Sequence, residues 1–234
     1  MLVPGRREED VVVQVATVDT RGFWELLRAI PVPDDAEFLY GPEPDGRLRE
    51  HNLRRYHELT AASMAGGGPR VMMVGEAPGY RGHTVSGVPF TSVRQLTARP
   101  GLITGAARGD GFAVPEHPAA NWEQSSGIVW RALAAWHGPL PLMWAIYPNH
   151  PHEPGHPATN RAPRATEVAA GTPIVLALAE AFGITNFVAV GRKAQGALAR
   201  AGIEATPVRH PAQGGARAFT EQLAAYNATS RGAR

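Results

Sequence analysis

Cysteine is missing from this chain of 234 residues. Its absence excludes disulfides, thiolate zinc sites and cysteine-ligated iron–sulfur clusters together. Lysine is almost missing as well: Lys193 is the single lysine among 23 basic residues. Chemistry through a lysine Schiff base therefore has one candidate, early in a predicted helix and poorly placed for the role. No run approaches the roughly 18 apolar residues of a membrane span. The segment Met1 to Asp10 carries Arg6, Arg7, Glu8, Glu9 and Asp10 with no apolar stretch behind a basic start, so it does not read as a secretory signal. The expectation is a cytoplasmic protein without a membrane partner. Charge of one sign is also lacking, since the formal net charge is only +2.

What is present is ordinary for a globular protein: 44% hydrophobic and 19% charged residues, enough chain for one substantial domain. The charge is unevenly spread. From Arg192 onward Arg192, Lys193, Arg200, Arg209, Arg217, Arg231 and Arg234 face only Glu204 and Glu221. Such an excess suits a phosphate backbone, although a solvated basic helix would look the same. Nine histidines leave a histidine–carboxylate metal site conceivable. However, His150, His152 and His156 fall in a Pro-rich loop rather than at helical spacing, and no metal or other cofactor is expected.

Residues 1–69 read as a helical lead-in, with helices over Arg21–Ala29 and roughly Gly46–Met64, the second marked by Leu48, Leu53, Tyr56 and Leu59. Residues 70–229 then alternate. Strands are predicted at Arg70–Val74, Pro141–Tyr147, Asn186–Val190 and Ile203–Val208. Helices are predicted near Ser92–Ala98 and over Ser125–His137 (N-capped by Ser125 or Ser126), Thr166–Phe182, Lys193–Ala201 and Ala218–Thr229. Strands separated by helices imply right-handed crossovers and a parallel sheet covered on both faces. The expected fold is a single α/β domain, a three-layer α/β/α sandwich around a four-stranded parallel sheet.

Two segments stand out, Val74-Gly75-Glu76-Ala77-Pro78-Gly79 and Arg209-His210-Pro211-Ala212-Gln213-Gly214-Gly215. Each follows an apolar strand and offers one ionisable side chain beside Pro and Gly, in a turn whose backbone can approach a ligand. In a parallel sheet such strand ends converge on the ligand crevice. A carboxylate on one loop and an imidazole on the other make a hydrolytic site, whether for a nucleic acid or a small molecule.

These two segments, with Ser86-Gly87-Val88-Pro89-Phe90-Thr91 between them, resemble in order and spacing the motifs of the uracil-DNA glycosylase superfamily. The first resembles the Gly-Glu-Ala-Pro-Gly form of its iron–sulfur branch, whose cluster this chain has no cysteines to hold. The resemblance runs loosely from Arg70 to Tyr226. It implies base excision from DNA containing uracil or a related deaminated base, by a monomer acting without a lyase step. Glu76 would position a water and relieve an oxocarbenium-like cation. A neutral His210 would donate to the base O2 as charge develops there, and Phe90 would stack on the extruded base. Gly75, Ala77, Pro78 and Gly79 would complete the base pocket. Ser86, Gly87, Thr91, Ser92, Arg209, Pro211, Gly214 and Gly215 would contact the DNA backbone, and Gln213 or Arg217 would take the place of the family's apolar wedge, which falls at Gly214.

Two positions depart from the family pattern. Strict uracil enzymes carry a tyrosine after the motif proline to block a 5-methyl group, and here that place is Gly79, with Tyr80 one step later. The strand Leu142-Met143-Trp144-Ala145 puts Ala145 where the family has a base-reading asparagine, leaving Asn149 or His150 as substitutes. A methyl group cannot read a base. The alternative is accordingly a non-catalytic member of the same fold that binds nucleic acid or an altered base.

Overall fold

The computed structural model describes residues 18–229. The charged start Arg6 to Asp10 and the basic Arg231 and Arg234 lie outside the described residues. In chain order the elements are α1 (Arg21–Ala29), β1 (Ala36–Glu37), α2 (Pro44–Ala65), β2 (Val71–Gly75), α3 (His83–Ser86), α4 (Val93–Leu96), α5 (Gln124–Leu133), β3 (Leu142–Ala145), β4 (His150–Pro151), α6 (Ala165–Ala181), β5 (Asn186–Val190), α7 (Arg192–Arg200), β6 (Thr206–Val208) and α8 (Ala216–Thr229).

The main sheet is four-stranded and parallel, in the order β3-β2-β5-β6. Every residue of β2 and β3 is buried, which requires helices over both faces of the sheet. Helices α1, α6 and α7 pack in one chain of contacts and α5 and α8 in another. The fold is the α/β/α arrangement expected from the strand–helix alternation. Trp144, Tyr56, Tyr147, Phe23, Phe182 and Phe219 are the largest fully buried side chains, and each contributes about 1.5–3 kcal/mol by leaving water. Among the described residues no helix is long and apolar enough to cross a membrane.

Local differences from the expected elements have physical causes. The last strand begins at Thr206 rather than Ile203, because the Ile203 N–H closes the end of α7 on the Leu198 carbonyl at 2.9 Å. Pro207, which has no N–H, is tolerated because β6 is an edge strand. Helix α5 is capped by Glu123 rather than by a serine; instead the Ser126 hydroxyl donates to Glu123 Oε2 at 2.6 Å. The helix also stops at Leu133, ahead of Gly138. A small antiparallel pair, β1 with β4, ties the lead-in to the Pro-rich loop.

Candidate active site

The chain leaves β2 for β3 on one side of it, while β5 lies on the other. The C-terminal ends of β2 and β5 therefore flank a topological switch point, where open α/β sheets form their ligand crevice. A cavity of about 1210 Å³ opens there. It receives the loop after β2, the loop after β6, the end of β3 and the start of α7.

Glu76 follows β2 and is half-buried in the cavity wall. Its backbone carbonyl continues the sheet pairing, accepting the Tyr147 N–H at 3.0 Å. Its carboxylate lies against Gly191 at the end of β5, with Oε1 2.7 Å from where a Cβ on that glycine would stand. No side chain or backbone N–H among the described residues donates to this carboxylate, so its acceptor capacity faces the cavity.

His210 follows β6 and lines the same cavity. The Ala212 N–H donates to His210 Nδ1 at 3.1 Å. An acceptor Nδ1 fixes the neutral tautomer with its proton on Nε2. Burial pushes the imidazole below its ordinary range; Glu76 opposes this and Arg209 reinforces it. The loop therefore holds a neutral imidazole with one N–H donor to offer.

Phe90 lines the cavity with its ring edge pressed on Gly75, where any Cβ would overlap the ring. Its φ of 53° is left-handed, a strained conformation for an aromatic residue. Gln213 in the His210 loop has φ 52°. Among the described residues these are the two non-glycine positions with positive φ, and each sits in one of the two loops that meet at the cavity.

Of the other sequence-predicted residues, the cavity wall includes Gly75, Ala77, Pro78, Gly79, Ala145, Arg209 and Gln213. Several others are elsewhere. Ser86 is fully buried and its hydroxyl donates to the Thr91 carbonyl at 2.7 Å while accepting the Val88 N–H at 3.0 Å. Thr91 donates to the Pro89 carbonyl and accepts from Trp130 Nε1, and Ser92 forms a capping box with Gln95. Gly87 ends α3 at φ 76°, against the Arg49 backbone. These four fasten the loop that carries Phe90 from inside and stand off the cavity wall. Asn149 is likewise fully buried, directed at the Pro31 carbonyl and the Tyr147 hydroxyl, and it does not line the cavity. His150 lines a separate cavity of about 590 Å³. Pro211 and Gly215 are buried turn residues, with Gly215 packed on the His210 carbonyl. Gly214 and Arg217 are exposed outside the cavity, Arg217 paired with Glu221 at 2.7 Å.

Among the polar side chains of the wall that sequence reasoning missed are Glu123, Asn160 and His83. Glu123, ahead of α5, projects its carboxylate over the first motif loop, with Oε1 2.5 Å from a Cβ built on Gly79. Burial raises its pKa, partly offset by the Ser126 hydroxyl and N–H. Asn160, in the Pro-rich loop, accepts the Tyr80 N–H at 3.0 Å. His83 forms part of the wall through α3. Glu123 and Asn160 reach the cavity from segments distant in sequence, which no local pattern announces, whereas His83 lies four residues past the motif glycine. The Pro-rich loop is clamped by Arg161, which binds Asp35 at 3.0 Å and Glu167 at 2.6 Å. Lys193 also lines the cavity, its ammonium donating to the Pro163 carbonyl at 3.0 Å. With Arg192 and Arg209 it gives the mouth a positive rim.

Among the described residues no group of three or more His, Asp or Glu side chains is arranged to hold a metal. Of the loop histidines, His150 Nε2 contacts the Thr159 carbonyl at 2.9 Å and Asn160 Oδ1 at 3.3 Å with its Nδ1 3.8 Å from Glu37, and His152 Nδ1 contacts the Glu153 carbonyl.

No protein-family profile matches the chain, and no curated protein matches its sequence. Among solved structures, the crystal structure of wild-type SMUG2 from Pedobacter heparinus is similar, with a TM-score of 0.57 at 14% identity. The match covers 89% of this chain and 94% of that one. At that identity the similarity is one of fold, a four-stranded parallel sheet with its flanking helices.

Proposed function

We propose that the protein is a monofunctional DNA-repair glycosylase that flips uracil or a related deaminated base into the cavity and hydrolyses its N-glycosidic bond. It acts as a monomer in the cytoplasm and needs no metal or organic cofactor. The observation that carries this reading is the pairing of an unengaged Glu76 carboxylate with a neutral His210 whose free proton is on Nε2, both on one cavity at the switch point. The fold-level likeness to SMUG2, a member of the uracil-DNA glycosylase superfamily, supports the same class.

The chemistry divides between the two loops. Phe90, held by the Ser86 hydroxyl network and pressed on Gly75, offers a rigid face on which a flipped base stacks. As the glycosidic bond stretches, cationic character grows on the sugar and anionic character on the base. The Glu76 carboxylate stabilises the first and orients a water toward the anomeric carbon. The His210 Nε2–H donates to the base oxygen, a contact that strengthens as the leaving group gains charge. Arg192, Lys193 and Arg209 neutralise phosphates around the mouth. Lys193 is held on the Pro163 carbonyl, away from a nucleophile's role, in keeping with a reaction that ends at an abasic site. Gly79 lacks the side chain that would exclude a 5-methyl group, but the Glu123 carboxylate fills that space.

Incubation with an oligonucleotide bearing one uracil, followed by alkali, should break the strand at that position. One observation favours a second reading: Ala145 lines the cavity with a methyl group and Asn149 does not reach it. A retained mobility shift on uracil DNA without alkali-labile sites would mark a binding protein of the same fold.

A further inference from the structure

His83 has a tautomer that the hydrogen bonds determine. Its Nε2 lies 2.8 Å from the Tyr40 hydroxyl, and that hydroxyl also contacts the Gly87 carbonyl at 3.1 Å. A carbonyl cannot donate, so the single hydroxyl proton of Tyr40 goes to Gly87. Tyr40 must then accept from His83, which places the ring proton on Nε2 and leaves Nδ1 as a bare acceptor. Nδ1 has no partner among the described residues, yet it is not one of the polar atoms sealed from solvent. The ring is part of the cavity wall, edge to face with Trp144 at 6.1 Å, and Ala145 follows Trp144 in the same wall. Burial, with Arg49 and His150 nearby, pushes the pKa of His83 down to about 3, so the ring is neutral at working pH.

Resting on the glycosylase reading above, we propose that His83 Nδ1 is the specificity-determining acceptor of the pocket, in place of the polar group missing at Ala145, and selects bases that present a ring N–H. Deamination makes that change. Cytosine and adenine carry a bare ring nitrogen between their pairing groups, whereas uracil and hypoxanthine carry an N–H there. A fixed acceptor bonds the second kind and sets lone pair against lone pair for the first. The substrate class is the deaminated base, pyrimidine or purine, rather than uracil alone. Thymine and guanine, which share the ring N–H, are not rejected by His83. Tyr40 is a positioning residue that acts through the tautomer.

The test is long-range 1H–15N spectroscopy on histidine-labelled protein, with His83 assigned from His83→Asn. Nδ1 should be pyridine-like and Nε2 pyrrole-like, and Tyr40→Phe should mix the two tautomers. Free uracil and hypoxanthine should shift the Nδ1 signal, while cytosine and adenine leave it in place. On oligonucleotides, His83→Ala should reduce the preference for uracil over cytosine by about 10- to 100-fold, the scale of one unpaired buried group. His83→Asn, which returns an acceptor near the Nδ1 position, should restore part of it. Protonated Nδ1, or equal responses to uracil and cytosine, would overturn the inference. So would a folded His83→Ala enzyme with the parental base preference, and in that case the glycosylase reading would stand. Uracil moving Nδ1 in a protein that cleaves nothing would uphold the inference and defeat the glycosylase reading instead.

Discussion

His57→Leu should make the protein less sensitive to acid. The His57 ring lies in the core between Phe23 and Phe182, with edge-on ring contacts at 5.4 and 5.5 Å, and neither of its nitrogens has a hydrogen-bond partner. Burial, with Arg54 adding to it, pushes its pKa from 6.5 down to about 3. In the unfolded chain the ring takes a proton near its ordinary pKa, while in the folded chain it stays neutral. Stability from this group is therefore full above that value and drains as pH falls below it, toward the folded value. Between pH 7 and pH 5 the loss is about 2 kcal/mol for this one ring. Leucine removes the titration, and at pH 7 it also removes two unsatisfied polar atoms, worth about 1 kcal/mol net. Urea unfolding of parent and variant at both pH values measures the effect. His83 and His210 shift in the same direction in both proteins, so the difference isolates His57. Equal losses in parent and variant between pH 7 and pH 5 would refute the reasoning.

Three other expectations concern the cavity. Ala145→Asn should raise uracil cleavage or sharpen selectivity among uracil, thymine-mismatch and hypoxanthine oligonucleotides, with melting temperature followed in parallel. An unaltered profile in a folded variant would mean that the β3 end does not meet the base. Arg192→Ala should lower the slope of log affinity against log salt by about one contact, whereas Arg217→Ala, exposed and paired with Glu221, should change it less. Activity should survive EDTA and iron chelators, and a loss reversed by added divalent metal would contradict the roles given to Glu76 and His210.

The four core strands and their helices were legible because each lies in an apolar run or shows a helical period in the sequence. Elements without such a run were not: β1, β4 and α3 exist through tertiary pairing and turn bonds rather than pattern. The loops of Glu76 and His210 could be read locally, since strand end, ionisable side chain, Pro and Gly are contiguous. The partners of the intervening hydroxyls could not. The hydroxyls of Ser86, Thr91 and Ser92 look the same in sequence whether they meet a ligand or the protein itself, and the structure buries all three. The same holds for Asn149, whose buried amide turns to the Pro31 carbonyl. Glu123 and Asn160 meet the first motif loop only through folding, so position along the chain held no sign of them.

Single-turnover cleavage of a uracil oligonucleotide by parent, Glu76→Gln and His210→Ala tests the central claim most directly. The parent should generate an alkali-labile site. Glu76→Gln should slow it by about 10²–10⁴-fold and His210→Ala by about 10²–10³-fold, both with DNA affinity nearly unchanged. Parental rates in both variants, or no alkali-labile product from the parent, would contradict the account.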